Sequence, residues 1–326
     1  MNPLVSICVP VYNVADYIER CAVSLMEQTY QPLEYIFVDD CSTDHSIDVL
    51  TKVLERYPKR CEQVRILRND RNRGPAFSRQ KAIENATGEY ICFVDSDDFV
   101  ERNMVERLLS NAIEQNADII SAGNDILYPN GRCVIEQPLP EYAQYDALSF
   151  PLRGVFCSLW GAIYRTALFR QPSVFAPEDM YYLEDRLMRL KLALLTDKIY
   201  YVNDLVYHYC VNRKSITSHI TDGHLTHFVR FWHIVDELLA QRGLSEQYKQ
   251  LISFAKVQNK STLMLHTDSM ALRRKYADLF RKEETTQMHH LCRGQWLMTY
   301  LIHHHLWPAV WIYQQYMNLL RSLFFI

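Results

Sequence analysis

Three carboxylates follow an apolar segment in the first third of the sequence. Residues 90–94 carry no charge, and Asp95, Asp97 and Asp98 come directly after them. An unbroken apolar run of this length is typical of a strand that is buried on both faces of a parallel sheet. Clustered carboxylates repel one another unless a cation offsets their charge, and their oxygens suit Mg²⁺ or Mn²⁺. The spacing of Asp95 and Asp97 therefore indicates a divalent-metal site, with a solvated acidic turn as the alternative.

Two earlier apolar segments also end in polar residues. Residues 5–9 lead into Pro10, Tyr12 and Asn13, and residues 35–38 lead into Asp39 and Asp40. Between the apolar segments, hydrophobic residues recur at helical spacing, so strands and helices alternate four times in about a hundred residues. This alternation predicts an α/β fold with a Rossmann-like, doubly wound and mostly parallel sheet. The carboxyl ends of such strands are where open α/β sheets bind ligands.

Four motifs, taken together, resemble those of family 2 glycosyltransferases with the GT-A fold, of the type that makes bacterial polysaccharides. They are residues 5–13, residues 38–44, Asn72-x-Gly74 with Arg79, and residues 95–98, and they occur in the order of the family. The resemblance implies a donor-nucleotide site made by Pro10, Tyr12, Asn13, Asp39, Asp40, Asn72, Gly74, Arg79, Asp95 and Ser96. It also implies that Asp97 ligates a Mn²⁺ or Mg²⁺ ion bridging the donor diphosphate. Gln80 departs from the family, which often has Asn after this arginine.

The resemblance continues in residues 101–220. Residues 160–165 resemble the segment before the acceptor site, and Glu184-Asp185 resembles the Glu-Asp motif of the family. An acceptor hydroxyl must lose its proton as the new bond forms, and by analogy Asp185 is the base that takes it. The alternative is a carboxylate pair that merely favours the start of a helix. Residues 207–217 resemble a lid over the donor, so the predicted acceptor or lid residues are Trp160, Glu184, Asn212 and Ser215.

The resulting functional hypothesis is an inverting glycosyltransferase of the hexosyl or N-acetylhexosaminyl type. It would move a sugar from a nucleotide diphosphate, with UDP expected, to a hydroxyl of a glycan or lipid-linked acceptor in surface polysaccharide synthesis. A haloacid-dehalogenase-type phosphatase also uses Asp-x-Asp, but after the first strand of its domain, whereas here the motif follows the fourth. A non-catalytic nucleotide-binding scaffold is the other alternative. Metal-dependent binding of UDP would distinguish the transferase from the phosphatase.

Length and composition suggest how the chain is organised. The 326 residues exceed one typical domain, so we expect a catalytic domain in residues 1–220, with donor binding in 1–100, and a helical region in 221–326. The net charge of −3 and the lack of a basic cluster argue against nucleic-acid binding. Nine scattered cysteines without a Cys-x-x-Cys pair fit reduced thiols, and a strand begins too early to leave room for a signal peptide. A cytoplasmic enzyme is therefore expected.

The C-terminal segment is rich in aromatic residues. After Pro308, one helical stripe carries polar residues and the rest of the segment is mostly apolar; the stripe consists of Gln314, Gln315, Asn318, Arg321 and Ser322. A membrane-spanning helix needs about 20 predominantly apolar residues, so this stripe argues against one. Residues 296–326 are instead predicted to contact a membrane surface, the favoured interpretation, or a second copy of the chain in a homodimer.

Overall fold

The computed structural model describes residues 2–136, 146–155, 157–212 and 220–324, without the side chains of residues 320–324. The chain divides into two compact units. The first comprises Met1–Pro151 and Phe156–Asn212, and the second comprises Leu152–Val155 and Arg213–Ile326.

The first unit is built around a sheet. Its strands are β1 (Val5–Val11), β2 (Leu33–Asp39), β3 (Val64–Arg68), β4 (Tyr90–Phe93), β5 (Phe99–Val100), β6 (Ile119–Leu127), β7 (Cys133–Glu136), β8 (Ala162–Arg165) and β9 (Ile199–Cys210). Within the described residues their order is β3-β2-β1-β4-β8-β6-β9-β5, with β7 paired to β6. The four strands β3, β2, β1 and β4 are parallel, which confirms the predicted α/β fold. Beyond β4 the sheet is mixed, because β8 runs antiparallel to both β4 and β6.

Helices cover the sheet of the first unit. They are α1 (Ile18–Met26), α2 (Ser46–Glu55), α3 (Pro58–Cys61), α4 (Pro75–Asn85), α5 (Met104–Glu114) and α7 (Glu184–Ala193), with 3₁₀ turns at Thr166–Arg170 and Pro172–Val174. The short helix α6 (Ser149–Arg153) begins in this unit and ends in the segment Leu152–Val155 of the second. Val5, Ile7 and Val9 of β1 are completely buried, as is Cys8 on the opposite face of the strand. Complete burial of one such aliphatic side chain is worth roughly 1.5–3 kcal/mol relative to exposure. The apolar run that predicted a strand with two covered faces thus forms the centre of this core.

The register of the parallel strands brings their polar ends together. Val11 at the end of β1 is aligned with Asp39 at the end of β2, and Cys8 of β1 is aligned with Phe93, the last residue of β4. Because parallel strands emerge at the same edge of a sheet, the loop after β2 and the acidic turn after β4 are neighbours.

The regular elements of the second unit, in its described residues, are helices. They are α8 (Asp222–Gln241), α9 (Ser245–His266), α10 (Met270–Lys275), α11 (Arg281–Gln287), α12 (Arg293–His303) and α13 (Trp307–Phe324), with a 3₁₀ turn at Met288–His290. An ionic cluster lies in the core of this unit. The Glu284 carboxylate is completely buried, with its two oxygens 2.6 Å from Lys260 Nζ and 2.7 Å from His303 Nδ1. No helix within the described residues has the length and apolarity needed to cross a membrane.

Candidate active site

The turn after β4 carries the acidic cluster. Asp95 and Asp97 are partly exposed, whereas Asp98 is completely buried. The Asp98 carboxylate accepts hydrogen bonds from the Tyr207 hydroxyl and from the backbone N–H of Cys210, both at 2.7 Å. Since both donors belong to β9, Asp98 fastens the turn to that strand. Asp95 and Asp97 are the members of the cluster that face outward.

The side chain of Tyr207 holds the acidic turn through two hydrogen bonds. Its hydroxyl donates to Asp98 and accepts the backbone N–H of Asp95 at 3.1 Å. Burial, followed by the charge of Asp98, raises the pKa of Tyr207 well above its ordinary value, so the hydroxyl keeps its proton at neutral pH. Its ring stacks on Trp160 with centroids 4.5 Å apart, and Trp160 also stacks on Tyr209 at 5.7 Å. Sequence analysis placed Tyr207 in the segment 207–217 that resembles a lid, but residues 207–210 belong to β9, and residues 213–217 lie outside the described residues. The link from Tyr207 to Asp98 was missed because 109 residues separate the two.

Replacing Tyr207 with Phe should lower the free energy of unfolding by about 1–3 kcal/mol, the usual cost of leaving buried polar groups unpaired. The stacked ring is retained, but Asp98 loses a donor and the Asp95 amide loses its acceptor. Chemical denaturation measures the change. Tyr200→Phe, at an exposed position on the same strand, is the matched control and should change stability by less than about 0.5 kcal/mol. Equal losses in the two variants would contradict this role for the Tyr207 hydroxyl.

The surroundings of Asp97 suit a divalent cation. Its Oδ2 accepts a hydrogen bond from Asn212 Nδ2 at 3.3 Å. Burial, followed by the charge of Asp95, raises the pKa of Asp97 above its ordinary value. A bound cation would stabilise the ionised Asp97 carboxylate against burial and against the charge of Asp95. This carboxylate therefore fits the predicted Mn²⁺ or Mg²⁺. No group of three or more His, Cys, Asp or Glu side chains in the described residues could hold a metal alone. Such an ion would therefore need further ligands from substrate or water.

Arg79 connects the acidic turn to the Glu-Asp motif. Its Nη2 lies 2.9 Å from Asp95 Oδ1, its Nη1 lies 2.8 Å from Glu184 Oε1, and the arginine is buried. Burial alone would lower the pKa of Arg79, but the charges of Asp95 and Glu184 raise it above its ordinary value, so the guanidinium stays charged. Its Nε is buried without a hydrogen-bond partner among the described residues.

Glu184 and Asp185 are the first residues of α7. The preceding Leu183 has a φ of 63°, a left-handed conformation that costs about 1–2 kcal/mol in a residue other than glycine. Burial, followed by the charge of Glu184, raises the pKa of Asp185 to about 7. A carboxylate whose pKa lies close to neutral pH is well matched to accept a proton in a reaction at that pH. These surroundings are compatible with the role of base that the sequence predicts for Asp185.

Two of the residues predicted to bind the donor nucleotide shape the turn at residues 72–74. Asp40 is buried and accepts hydrogen bonds from the backbone N–H groups of Arg73 and Gly74 at 2.8 and 2.7 Å, and from Asn69 Nδ2 at 2.7 Å. Asn72 Oδ1 accepts the N–H of Gly74 at 3.1 Å. Gly74 has a φ of 85°, which glycine adopts without strain. Asp40 and Asn72 thus fix the backbone that leads into α4.

The loops after β1 and β2 are joined by side chains of the predicted nucleotide site. Asp39 is buried, and its Oδ1 accepts the N–H of Ser42 at 2.8 Å. Asn13, with a φ of 52°, accepts the N–H of Thr43 at 2.9 Å. The ring of Tyr12 is exposed beside this junction. An exposed aromatic ring next to two ordered loops is able to stack on a flat ligand.

The remaining predicted residues have varied surroundings. Pro10 is partly buried at the end of β1, and Ser96 is buried within the acidic turn. Asn212 is buried, and its Oδ1 accepts a hydrogen bond from the Tyr17 hydroxyl at 3.2 Å. Ser215 lies outside the described residues.

Comparison with known sequences supports a single family. The family model described as glycosyl transferase family 2 matches residues 6–170. The uncharacterized glycosyltransferase EpsJ of Bacillus subtilis (strain 168) is 31% identical over 226 residues, which cover 67% of this chain and 64% of EpsJ. The poly(ribitol-phosphate) beta-N-acetylglucosaminyltransferase TarS of Staphylococcus aureus (strain Mu50 / ATCC 700699) is 26% identical over 272 residues, 82% of this chain and 46% of TarS. This chain thus spans less than two thirds of the length of either relative.

Comparison with solved structures identifies the fold. The crystal structure of S. aureus TarS 1–349 in complex with UDP-GlcNAc superposes with a TM-score of 0.71 at 18% identity, covering 95% of this chain and 90% of that one. The mannosyltransferase PcManGT of Pyrobaculum calidifontis, in complex with GDP-Man and Mn²⁺, gives a TM-score of 0.55 at 19% identity, covering 99% of this chain and 88% of that one. These likenesses confirm the predicted GT-A fold.

Proposed function

Because this chain belongs to glycosyl transferase family 2, we propose that it transfers a sugar from a nucleotide-diphosphate donor to an acceptor hydroxyl. One observation carries the proposal: the buried Arg79 bridges Asp95 of the acidic turn and Glu184 of the Glu-Asp motif. This bridge supports a single site in which Asp97 would bind the cation and Asp185 would accept the proton. The acidic turn follows the fourth strand in the chain, which disfavours the phosphatase.

The proposed donor is a UDP-sugar bound at the edge formed by β2, β1 and β4. Two TarS structures, described as complexes with UDP-GlcNAc and with UDP, support this choice. The exposed ring of Tyr12 would stack on the base, while the buried Asp39 and the Asn13 junction hold the loops beneath it. The other proposed donor contacts are Pro10, Asp40, Asn72, Gly74, Arg79, Asp95 and Ser96.

In the proposed reaction Asp97, Asp185 and Arg79 have different tasks. Asp97 would hold Mn²⁺ or Mg²⁺, which when bound stabilises the negative charge of the departing diphosphate. Asp185 accepts the proton of the acceptor hydroxyl as the hydroxyl oxygen attacks the anomeric carbon opposite the leaving group, which inverts that centre. Arg79 keeps Asp95 and Glu184 in place. With a diphosphate leaving group, the second carboxyl group of a glycosidase is not needed.

The proposed acceptor is a glycan or lipid-linked glycan of a surface polysaccharide. It would bind in residues 101–220 of a catalytic domain formed by residues 1–220, where the partly buried Trp160 offers an aromatic surface. Relatives named for teichuronic acid biosynthesis and for poly(ribitol-phosphate) support this class of acceptor. We place the enzyme in the cytoplasm, with residues 221–326 as a helical region that contacts a membrane surface or a second copy of the chain.

Nucleotide binding and donor hydrolysis test the proposal together. Purified protein is titrated with UDP and other nucleoside diphosphates, with Mn²⁺ and then with EDTA, and a panel of nucleotide sugars is screened for metal-dependent hydrolysis. We expect UDP binding that requires the metal and hydrolysis of at least one UDP-sugar. Binding of no nucleotide under any condition, or metal-dependent cleavage of simple phosphate monoesters instead, would overturn the proposal.

Glu184→Gln should move the acid limb of the pH–rate profile to lower pH. In the parent enzyme, transfer should rise with pH through about 7, because Asp185 accepts a proton only after losing its own. The charge of Glu184 helps to raise the pKa of Asp185, and its removal lowers that pKa toward the ordinary carboxyl range. Transfer rates measured from pH 4 to 9 at saturating donor locate the limb. Glu84→Gln, an exposed carboxylate on α4, is the control, and an unshifted limb in the Glu184 variant would contradict the coupling.

A further inference from the structure

The beginning of α1 contacts the end of β9. Tyr17 immediately precedes α1, and its hydroxyl donates a hydrogen bond to Asn212 Oδ1 at 3.2 Å. Arg20, in the first turn of the same helix, has its Nη2 2.8 Å from the sulfur of Cys210. Positions three residues apart are neighbours on a helix surface, so one face at the start of α1 holds both of these residues of the first unit.

The same two residues at the end of β9 hold the acidic turn. Cys210 donates its backbone N–H to the carboxylate of Asp98 at 2.7 Å. Asn212 Nδ2 donates to Asp97 Oδ2 at 3.3 Å. A carboxylate that accepts a hydrogen bond through one oxygen keeps acceptor capacity for a cation. A chain of hydrogen bonds therefore runs from Tyr17 through Asn212 to the carboxylate that would bind the metal.

The chemistry of the Asn212 amide explains the order of this chain. An ionised carboxylate accepts hydrogen bonds and donates none, so the amide must turn its Nδ2 toward Asp97. Its oxygen then faces the Tyr17 hydroxyl, which supplies a donor. The Asn212 side chain is only 8% exposed, and a buried polar group that loses a partner is destabilised. Without the hydroxyl, the amide would hold Asp97 less firmly.

Charge supports the same arrangement. The Arg20 guanidinium lies 4.4 Å from the centroid of the Phe99 ring, directly after the acidic turn. Burial, followed by the charge of Asp95, raises the pKa of Asp97, whereas the hydrogen bond from Asn212 and the charge of Arg20 oppose that rise. Both contacts thus favour the ionised carboxylate, which is the form that binds a cation.

On the basis of the proposed function, in which Asp97 holds the cation, we propose that Tyr17 is a positioning residue for that cation and acts through Asn212. A residue that hydrogen-bonds a metal ligand typically contributes about 10–100-fold to metal affinity, and Asn212 is such a residue. Tyr17 is one step further from the ion. Its contribution should therefore be about three- to tenfold, the usual worth of a single hydrogen bond.

The Mn²⁺ dependence of UDP binding to the full chain measures these contributions. The quantity compared is the Mn²⁺ concentration that gives half-maximal binding of radiolabelled UDP at a fixed UDP concentration. Tyr17→Phe keeps the ring and should raise this concentration about three- to tenfold, and Asn212→Leu should raise it about 10–100-fold. Tyr57→Phe is the matched control, because it removes a hydrogen bond of 3.0 Å from a half-buried tyrosine to Glu27 Oε1. It should require as much Mn²⁺ as the parent.

A double variant distinguishes positioning from general structural support. If Tyr17 acts through Asn212, then Tyr17→Phe combined with Asn212→Leu should require no more Mn²⁺ than Asn212→Leu alone, whereas independent effects would multiply. Excess Mn²⁺ should also restore parental donor hydrolysis to Tyr17→Phe, since the variant changes the affinity for the ion and leaves the reacting groups in place. Its thermal midpoint should fall no further than that of Tyr57→Phe.

The outcomes separate this inference from the proposed function. A parental Mn²⁺ requirement in Tyr17→Phe, or two effects that multiply in the double variant, would overturn the positioning role and leave the proposed function intact. UDP binding by the parent that depends on neither Mn²⁺ nor Mg²⁺ would overturn the metal role of Asp97 and this inference with it. Should Asn212→Leu fail to fold, equal Mn²⁺ requirements in Tyr17→Phe and Tyr57→Phe would by themselves overturn the proposal.

Discussion

Replacing Asp97 with Asn is expected to remove most metal-dependent donor binding while leaving the fold intact. The amide keeps the size of the side chain but loses the negative charge that attracts a hard divalent cation. Removing a residue that only hydrogen-bonds a metal ligand already costs about 10–100-fold in metal affinity. Removing the ligand itself should therefore cost about 100-fold or more. Isothermal titration with UDP and Mn²⁺ measures the change. Donor binding as tight as in the parent would refute the assignment of Asp97 to the cation.

Stability provides an internal check on the Asp97 variant. Because the pKa of Asp97 is raised in the folded state, its ionised form destabilises the fold at pH values above the unfolded-state pKa. The neutral Asn removes this cost, so the thermal midpoint at neutral pH should stay the same or rise. Asp48→Asn, the same chemical change at an exposed position on α2, should leave both donor binding and the midpoint unchanged. A lowered midpoint would mean that Asp97 is structural.

Replacing Asp185 with Asn is expected to lower the rate of sugar transfer by about 10²–10⁴-fold, the usual contribution of a positioned proton acceptor. Donor affinity should change little, because the proposed metal and nucleotide contacts lie on other elements. The acid limb near pH 7 should also disappear from the residual activity, since the titrating group has been removed. Single-turnover rates at saturating donor, measured across pH, test both effects together.

The control for the Asp185 variant comes from the loop that follows α7. Asp197→Asn neutralises an exposed carboxylate there and should transfer sugar at the parental rate. Near-parental turnover by the Asp185 variant would move the base elsewhere, and Glu184 would be the first residue to test in its place. A variant that instead loses donor affinity with an unchanged pH profile would show that Asp185 binds substrate and does not accept the proton.

Local sequence determines much of the sheet edge at which the nucleotide-sugar donor is proposed to bind. The apolar runs that end at Asn13, Asp39 and Asp95 form parallel strands, and strands of this kind must emerge at one edge. Alternation of strands and helices fixes the α/β class for the same reason, because each helix has to cross over to begin the next parallel strand. The reversed β8 was not predictable, because a short apolar strand carries no mark of its direction.

Tertiary structure alone assigns tasks to residues that the sequence presents as equivalent. Asp95, Asp97 and Asp98 are alike in sequence, yet Asp98 is buried and accepts hydrogen bonds from two residues of β9. Those residues follow it in the chain by more than 100 positions. The bridge from Arg79 to Glu184 spans 105 residues. No local pattern encodes such pairings, since they depend on which strands become neighbours when the core closes.

Helix α13 shows the same division between sequence and structure. The sequence groups Gln314 and Gln315 in one polar stripe at 3.6 residues per turn, but the structure buries Gln314 and leaves Gln315 exposed on the same side as Trp311. Which side is covered depends on the surface against which the helix packs. Here that surface includes the buried Arg273, whose guanidinium requires acceptors, so Gln314 turns inward and Trp311 and Tyr316 remain in solvent. The need to pair one buried charge thus decides which face of the helix is left for a partner.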